Sequence, residues 1–338
     1  MDLPGTIPPD QVTQTAQRTT ASRDVRELVR AATVAQRFFV DEQSKQQIAT
    51  EFAISRFKVA RLLDLARESG LVRIEIAAPL GLDVKLGQLV RDAYGLADAW
   101  VVDLDERAPD PVATRLGQVG ATMVAALVVA DKPVGIAWGR TMRSLADSIT
   151  DLPRCPVVQV AGGIRGDLDD DAAVVARQLA RGNGGPAHLL HAPLFVADAH
   201  VAAGLRAERT VSVTLERFEE LQLVIVGVGA WHAASGLATT VLLQDDVDHL
   251  SEQGAVAEFC GLFLAEDGSD VGTRLDDRAL AISAAQLRAV PCVVAVAGGP
   301  GKELAVQAVA RSGLCTHLVT DCVVAEALLA SARAEERE

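Results

Sequence analysis

The sequence has no apolar run long enough to cross a membrane. Although 49% of its 338 residues are hydrophobic, no uninterrupted stretch approaches the roughly 18 to 20 residues that span a bilayer. The first 20 residues are polar and contain three prolines, so they lack the apolar core of a secretory signal peptide. We therefore expect a cytoplasmic protein.

Cysteine is scarce and scattered. No two cysteines form a Cys-x-x-Cys pair, and most lie among Val, Leu and Ala. This spacing argues against a disulfide framework and against the usual structural zinc motifs. We expect buried, reduced thiols, and the sequence predicts neither a metal site nor a cofactor. The five cysteines are Cys155, Cys260, Cys292, Cys315 and Cys322.

Basic residues are in deficit, but the deficit is uneven. The 32 Lys and Arg against 45 Asp and Glu give a net charge of −13, which argues against a protein that coats nucleic acid or an anionic membrane with its whole surface. Residues 1–75 hold 11 basic and 10 acidic side chains, whereas residues 76–338 hold 21 and 35. This asymmetry indicates two segments with separate tasks.

Helical periodicity begins after a polar N-terminal segment. Residues 1–22 show almost no apolar periodicity, and we expect a flexible arm there. From residue 23 to residue 70, apolar side chains recur at spacings of three and four, which predicts three helices. The alternating residues 71–76 predict a short strand. We assign residues 23–78 to one small domain and residues 79–97 to a linking helix.

The pattern changes after residue 97. Short runs of Val, Ile and Ala bounded by Gly alternate with helical segments, as is typical of parallel strands covered on both faces. The sequence therefore predicts a doubly wound α/β domain over residues 98–332, followed by a short tail at 333–338. The expected strands include 189–196 and 255–264.

Residues 44–66 have the spacing of a helix-turn-helix. Ser44 and Ser55 stand where the two helices need N-caps, and Ala53 occupies the turn, where glycine is more common. Any three-helix bundle gives a similar apolar stripe, but 11 basic against 8 acidic residues between 18 and 75, with a following strand like the wing of a winged helix-turn-helix, favour DNA binding. The residues predicted to contact DNA are Lys45, Gln46, Ser55, Arg56, Phe57, Lys58 and Arg61.

Four glycine-rich turns follow predicted strands of the α/β domain, at residues 135–142, 159–165, 227–229 and 297–302. Ligands bind at such positions in open α/β sheets, and backbone N–H groups at a helix N-terminus can hold phosphate. None of these turns has the spacing of a Walker A loop or of a dinucleotide-binding loop. The turns therefore predict a small-ligand site without naming a nucleotide.

Six segments in series carry a family resemblance over about residues 23–330. They are 47–49 with 54–56, 61–72, Trp138-Gly139-Arg140-Thr141, Gly254 to Glu258, Gly298-Gly299 with Lys302, and Leu318-Val319-Thr320-Asp321. Together they resemble the SorC family of bacterial sugar-responsive transcriptional regulators. The resemblance implies an effector domain folded like sugar-phosphate isomerases and deaminases, which binds a phosphosugar, sugar or polyol and changes DNA affinity. The implied partners are double-stranded operator DNA, this carbohydrate and other copies of the chain, in a homodimer or homotetramer, with no membrane.

The resemblance also implies individual effector contacts. The residues from Gly139 to Met142 would surround the phosphate end, Lys302 would add a positive charge, and Glu258 would receive sugar hydroxyls. Gln159 and two glycines would line the floor. The implied effector-binding residues are Gly139, Arg140, Thr141, Met142, Gln159, Gly162, Gly163, Glu258 and Lys302.

Two positions depart from the family pattern. Members that hold a phosphosugar can carry Lys or Arg just before the Gly-Gly pair, where this chain has Ala161. The acidic group between Phe263 and Gly268 is also displaced by one or two positions. A neutral polyol or an unphosphorylated sugar therefore stands beside a phosphosugar as the expected effector.

The main alternative is a sugar-phosphate isomerase or deaminase-like enzyme fused to the helix-turn-helix. Six histidines lie near strand ends or loops, and residues 167–171 form an acidic cluster. The cluster is typical of a helix start, however, and no nucleophile motif is present. An oligomerising scaffold without a ligand is disfavoured, because Arg140, Thr141 and Lys302 lie on the glycine turns. We therefore predict a regulator without enzyme activity.

Overall fold

The computed structural model describes residues 25–72, 79–104, 111–164, 171–232 and 241–335. The chain forms two compact units, residues 1–77 and residues 78–338. Three sequence-based expectations lie wholly or mostly outside the described residues. They are the arm at 1–22, the strand beyond residue 72 and the acidic cluster before residue 171.

The first unit holds the helix-turn-helix. Its helices are α1 (25–39), α2 (Lys45–Glu51) and α3 (Arg56–Glu68). Ser44 caps α2 in a capping box with Gln47, and the Ser55 side chain caps α3 by accepting a hydrogen bond from the Lys58 N–H. Small and branched side chains fill the core between the three helices. They are Ala31, Val34, Ala35, Ile48, Ala49, Val59, Leu62, Leu63 and Ala66.

The turn between α2 and α3 contains a strained alanine. Ala53 is exposed and has a φ of 50°, in the left-handed region that costs a residue with a Cβ about 1–2 kcal/mol. We expect Ala53→Gly to stabilise this unit by about 0.5–1 kcal/mol. Amide hydrogen exchange of α2 and α3 in the full chain should become about two- to fivefold slower. The control Ala60→Gly, inside α3, should accelerate exchange; slower exchange in both variants would contradict this explanation.

The second unit contains two sheets. Seven parallel strands form the larger sheet in the order β1-β10-β9-β5-β2-β3-β4, and β6, β7 and β8 form a small antiparallel sheet. The strands are β1 (Asp98–Val102), β2 (Val134–Ile136), β3 (Val157–Gln159), β4 (Ala187–His188), β5 (Leu223–Gly227), β6 (Gly229–Ala230), β7 (Ala255–Phe259), β8 (Leu262–Ala265), β9 (Cys292–Val296) and β10 (His317–Asp321).

Helices cover both faces of the larger sheet. The described helices of this unit are α4 (Val84–Tyr94), α5 (Val112–Leu127), α6 (Arg140–Ser148), α7 (Ala172–Asn183), α8 (Ala199–Ala207), α9 (Arg209–Leu215), α10 (Gln244–Glu252), α11 (Thr273–Asp276), α12 (Ala284–Ala289), α13 (Glu303–Arg311) and α14 (Cys322–Glu335). Short 3-10 turns lie at Pro79–Gly81 and Glu216–Glu220.

Alternate residues of each strand enter opposite cores. In β5, Val224 and Val226 belong to the core shared with α4, α13, α14 and the small sheet, whereas Leu223 and Ile225 belong to the core shared with α5, α6 and α7. This two-sided burial explains why the strands are continuously apolar in the sequence. The predicted doubly wound α/β fold is confirmed.

Two expected strands are wrong. Residues 255–264 form two antiparallel strands, because Cys260 (φ 57°) and Gly261 (φ 88°) reverse the chain between them. Residues 189–196 make only isolated bridges: Pro193 has no N–H to donate, and the Leu190 N–H donates to the side chain of Gln159. Apolar runs alone cannot reveal either interruption.

Candidate functional site

The strand order of the larger sheet reverses between β2 and β5. These strands are neighbours, but the chain continues from β2 to β3 on one side and from β5 towards β9 on the other. Loops leaving the carboxyl ends of two such strands separate from each other and leave a crevice. The fold therefore provides a ligand position before any side chain is considered.

A cavity of about 220 Å³ opens at this reversal, and we call it the switch-point cavity. Its walls come from the carboxyl ends of β2, β5 and β9, with contributions from α5, β7 and the turn after β7. The lining residues are Ala113, Ala137, Trp138, Gly139, Arg140, Thr141, Met142, Val226, Gly227, Val228, Gly229, Glu258, Cys260, Ala297, Gly298 and Lys302.

The N-terminus of α6 forms one wall of the switch-point cavity. Gly139 precedes the helix with φ 116° and ψ 160°, a conformation that favours glycine, and its carbonyl accepts the first helical hydrogen bond from the Arg143 N–H. The first-turn N–H groups of a helix lack intrahelical partners. With Arg140 exposed at the first helical position, this wall is suited to a negatively charged or hydroxyl-bearing ligand.

Lys302 supplies a second positive charge. It lies just before α13, and its Nζ donates a hydrogen bond of 2.7 Å to the Val228 carbonyl at the end of β5. Burial lowers the pKa of Lys302; the negative charge of Glu258 opposes this effect, and the positive charge of Arg140 adds to it. The three side chains therefore interact electrostatically within one cavity.

Glu258 is the acidic member of this group. It lies on β7 and is 8% exposed, and its Oε1 accepts a hydrogen bond of 2.7 Å from the Gly261 N–H. Burial raises the pKa of Glu258 to about 7, against the opposing effects of the Gly261 N–H and Lys302. At neutral pH the carboxyl group is thus partly protonated, and it can both accept from and donate to a hydroxyl group.

Asp321 holds the loop that carries Gly298 and Lys302. It is buried at the end of β10; its Oδ2 accepts from the Gly299 N–H, and its Oδ1 accepts from the Val324 N–H at 3.0 Å. A Cβ on Gly298 would lie 2.2 Å from Oδ2, so glycine is required there. Asp321 lies in one of the six family segments, but its role could not be predicted from the sequence because its two hydrogen bonds depend on the tertiary structure.

We expect Asp321→Asn to weaken the loop. Asparagine has one acceptor oxygen, so its NH₂ group must face one of the two backbone N–H groups, and we expect a stability loss of about 1–3 kcal/mol. Ligand affinity should fall about tenfold, a loss of about 1.4 kcal/mol, because Lys302 shifts with the loop. Calorimetric titration with ligand would measure this. The control Asp98→Asn, at the opposite end of the β1–β10 pair, should leave affinity unchanged; equal affinity in both variants would contradict the positioning role.

Six of the nine predicted effector residues line the switch-point cavity, and three lie elsewhere. Gln159 is buried, donates to the Ala161 carbonyl and accepts from the Leu190 N–H, so its polar atoms are engaged by the backbone. A Cβ on Gly162 would lie 2.5 Å from Pro193. In the structure these three residues contact the neighbouring loop at 190–193, and their role as the floor of an effector site stays a prediction.

The two departures from the family pattern also lie outside the cavity lining. Ala161 is buried and forms an isolated bridge with Ala281. The Asp267 carboxylate accepts from the N–H and hydroxyl of Ser269, bonds that lower its pKa. Neither residue adds charge to the cavity walls described above.

Two observations bear on the acid and base groups of the enzyme alternative. Among the described residues that line the cavity there is no histidine, and Asp171 caps α7 by accepting from the Ala173 N–H. The described residues contain no cluster of three or more His, Cys, Asp or Glu with metal-binding geometry. No helix in the described part of the chain is long and apolar enough to cross a membrane.

The predicted DNA-contacting residues lie on the helix-turn-helix in different settings. Arg56, Phe57 and Arg61 are exposed on α3. Lys58 pairs with Glu27 of α1, and this bond lowers the pKa of Glu27. The Ser55 hydroxyl is engaged as a helix cap. Gln46 is exposed, and the Nζ of Lys45 lies 5.8 Å from the ring centroid of Phe38.

Known proteins resemble the chain over most of its length. Residues 79–330 match the family described as "Putative sugar-binding domain". The sorbitol operon regulator of Klebsiella pneumoniae is 26% identical over 91% of this chain and 99% of its own length. The erythritol catabolism regulatory protein EryD of Brucella abortus is 28% identical over 86% and 93%. The crystal structure of the full-length K. pneumoniae sorbitol operon regulator matches at a TM-score of 0.68 and 24% identity, over 90% of this chain and 99% of that chain.

Proposed function

The chain belongs to the sugar-binding domain family of SorC-type, sugar-responsive transcriptional regulators, and on that premise we propose that its effector binds in the switch-point cavity. It is a DNA-binding regulator of a carbohydrate operon, with DNA and a small sugar-like effector as partners. The relatives are named as regulators, so the enzyme alternative is set aside. The cavity residues given below as effector contacts are our proposal.

One observation carries the proposal: Arg140, Lys302 and Glu258 meet in one cavity at the topological switch point. The α6 N-terminus and the two cations suit a phosphate or several electron-rich hydroxyl groups. Glu258, with its raised pKa, suits a hydroxyl group that needs both a donor and an acceptor. The proposed effector is a sugar, polyol or phosphosugar held by Gly139, Arg140, Thr141, Met142, Glu258 and Lys302.

We propose that the exposed face of α3 contacts the operator. Arg56 and Arg61 are exposed and near the start of a recognition helix, where base contacts are made. Arginine bonds the guanine edge through two N–H groups, and Lys45, Gln46 and Lys58 would contact phosphates. The net charge of only +3 between residues 18 and 75 suits a homodimer or homotetramer that sums several half-site contacts.

Effector binding then changes operator affinity by favouring one of two arrangements of the oligomer. A ligand shifts such an equilibrium only by its difference in affinity for the two states. Because a regulator must reach its operator DNA, we propose that the protein acts in the bacterial cytoplasm.

A thermal-shift screen tests the proposal that the switch-point cavity binds a carbohydrate effector. Sugars, polyols and the phosphate ester of each should be compared, since a ligand that binds only the folded state raises the melting temperature. We expect at least one carbohydrate to raise it and to change retardation of operator DNA. Lys302→Met should abolish the shift, whereas the control Lys85→Met, an exposed lysine on α4, should keep it. A full panel without any shift would refute the effector proposal.

A further inference from the structure

Phe57 is the most exposed of the large apolar side chains in the described residues. It is 86% exposed, whereas the next is Val40 at 71%. It stands at the second position of α3, directly after the helix cap at Ser55 and Arg56. A single exposed apolar residue needs no explanation in general. An aromatic ring at this position of a recognition helix does need one, because a polar residue there would not destabilise the helix.

Helix geometry places Phe57 opposite the core. At about 100° per residue, Phe57 lies roughly 180° from Ala66, which is fully buried. The same geometry puts Arg61 within about 40° of Phe57. The ring and the arginine therefore share the face of α3 that points away from the rest of the unit.

The charges around the ring identify the occupant of this face. Arg56 directly precedes Phe57 in the sequence, Arg61 follows one helical turn later, and both arginines are exposed. A protein partner of ordinary composition would leave these cations desolvated without a partner, whereas the phosphate-lined major groove of DNA compensates them.

We propose that Phe57 contacts the C5-methyl group of a thymine in each half-site of the operator. The major groove presents hydrogen-bonding atoms on all bases, and the thymine methyl is the apolar group that an aromatic ring can meet there. This inference rests on the proposed DNA-binding function and adds a specificity-determining residue to it. The two arginines contact guanine edges, as proposed above, and the ring selects thymine at one position.

The test uses full-length protein and operator sequences selected from random DNA. We expect the wild type to select an invariant thymine in each half-site. Replacing that thymine by deoxyuridine, which pairs identically but lacks the methyl group, should lower affinity about fourfold for each contact, the equivalent of one buried methyl group. Phe57→Ala should bind thymine and deoxyuridine operators equally and should lose the selection at that position. Phe57→Leu should keep part of the difference in affinity between the thymine and deoxyuridine operators.

Val29→Ala is the matched control. Val29 is also an exposed apolar residue of this unit, at 62% exposure, but lies on α1; the variant should discriminate against deoxyuridine as the wild type does. Equal wild-type affinity for thymine and deoxyuridine operators overturns the thymine contact while leaving DNA binding intact. A Phe57→Ala variant that changes only the oligomeric state assigns the ring to a second copy of the chain and overturns it too. If the wild type selects no DNA, the proposed DNA-binding function fails and this inference fails with it.

Discussion

The double variant Arg56→Ala/Arg61→Ala is expected to lose operator binding almost entirely. A bidentate arginine contact to a base contributes about 1–3 kcal/mol, so removing two should weaken each half-site about 100-fold and, in an oligomer, abolish retardation at nanomolar protein. Both side chains are exposed, and the core of the unit lies on the other side of α3. The folded state should therefore be unaffected.

Three measurements separate base contacts from general charge effects. Gel retardation of specific and random DNA should show a larger loss on the specific sequence, because phosphate contacts alone do not depend on sequence. Circular dichroism should show unchanged helix content. The control Arg91→Ala removes a partly exposed arginine of the second unit that pairs with Asp92, and this variant should bind operator DNA as the wild type does. Undiminished operator binding by the double variant would remove both arginines from the proposed interface.

Glu258→Gln is expected to make the protein more stable at alkaline pH while weakening its effector response. The pKa of this buried carboxyl is raised from 4.5 to about 7, so the native state keeps a proton that the unfolded state releases between these values. Wild-type stability therefore falls as pH rises through this interval. At 1.36 kcal/mol per pKa unit, the total cost is roughly 3 kcal/mol above pH 8.

Glutamine removes the free-energy cost of ionising a buried carboxyl group and keeps the local hydrogen bond. Its Oε1 can still accept from the Gly261 N–H, the bond that Glu258 makes at 2.7 Å, and it does not ionise. The unfolding free energies of variant and wild type, measured with denaturant between pH 5 and pH 9, should diverge as the pH increases. Effector affinity should drop, most clearly above pH 8, where the Glu258 side chain of the wild type is ionised.

Glu252→Gln provides the comparison, because Glu252 is exposed at the end of α10. Its stability difference from the wild type should not vary with pH over this range. If the unfolding free energies of Glu258→Gln and the wild type change with pH in parallel, burial does not raise the pKa of the Glu258 carboxyl.

The structure of the helix-turn-helix unit was largely predictable from the sequence, because the residues that determine it lie close together in the chain. Ser44 and Ser55 cap helices within three residues of themselves, and the spacing of Ile48, Val59 and Leu62 follows from one helical period. Even the unusual turn at Ala53 was located from spacing alone. The sequence also predicted Gly139 and Lys302 on glycine-rich turns that follow buried strands, and both residues line the switch-point cavity.

The sequence by itself determined the alternation of parallel strands with helices, the two-sided burial of those strands and the helix-turn-helix, because periodicity and capping act over a few residues. Only the tertiary structure decided which loops share a cavity. Gln159 was expected in the cavity but its polar atoms are bound by backbone groups, and Asp321 supports the cavity from a strand 22 residues beyond Gly299. Strand order places such groups together or apart, and strand order depends on packing between residues that are distant in the chain.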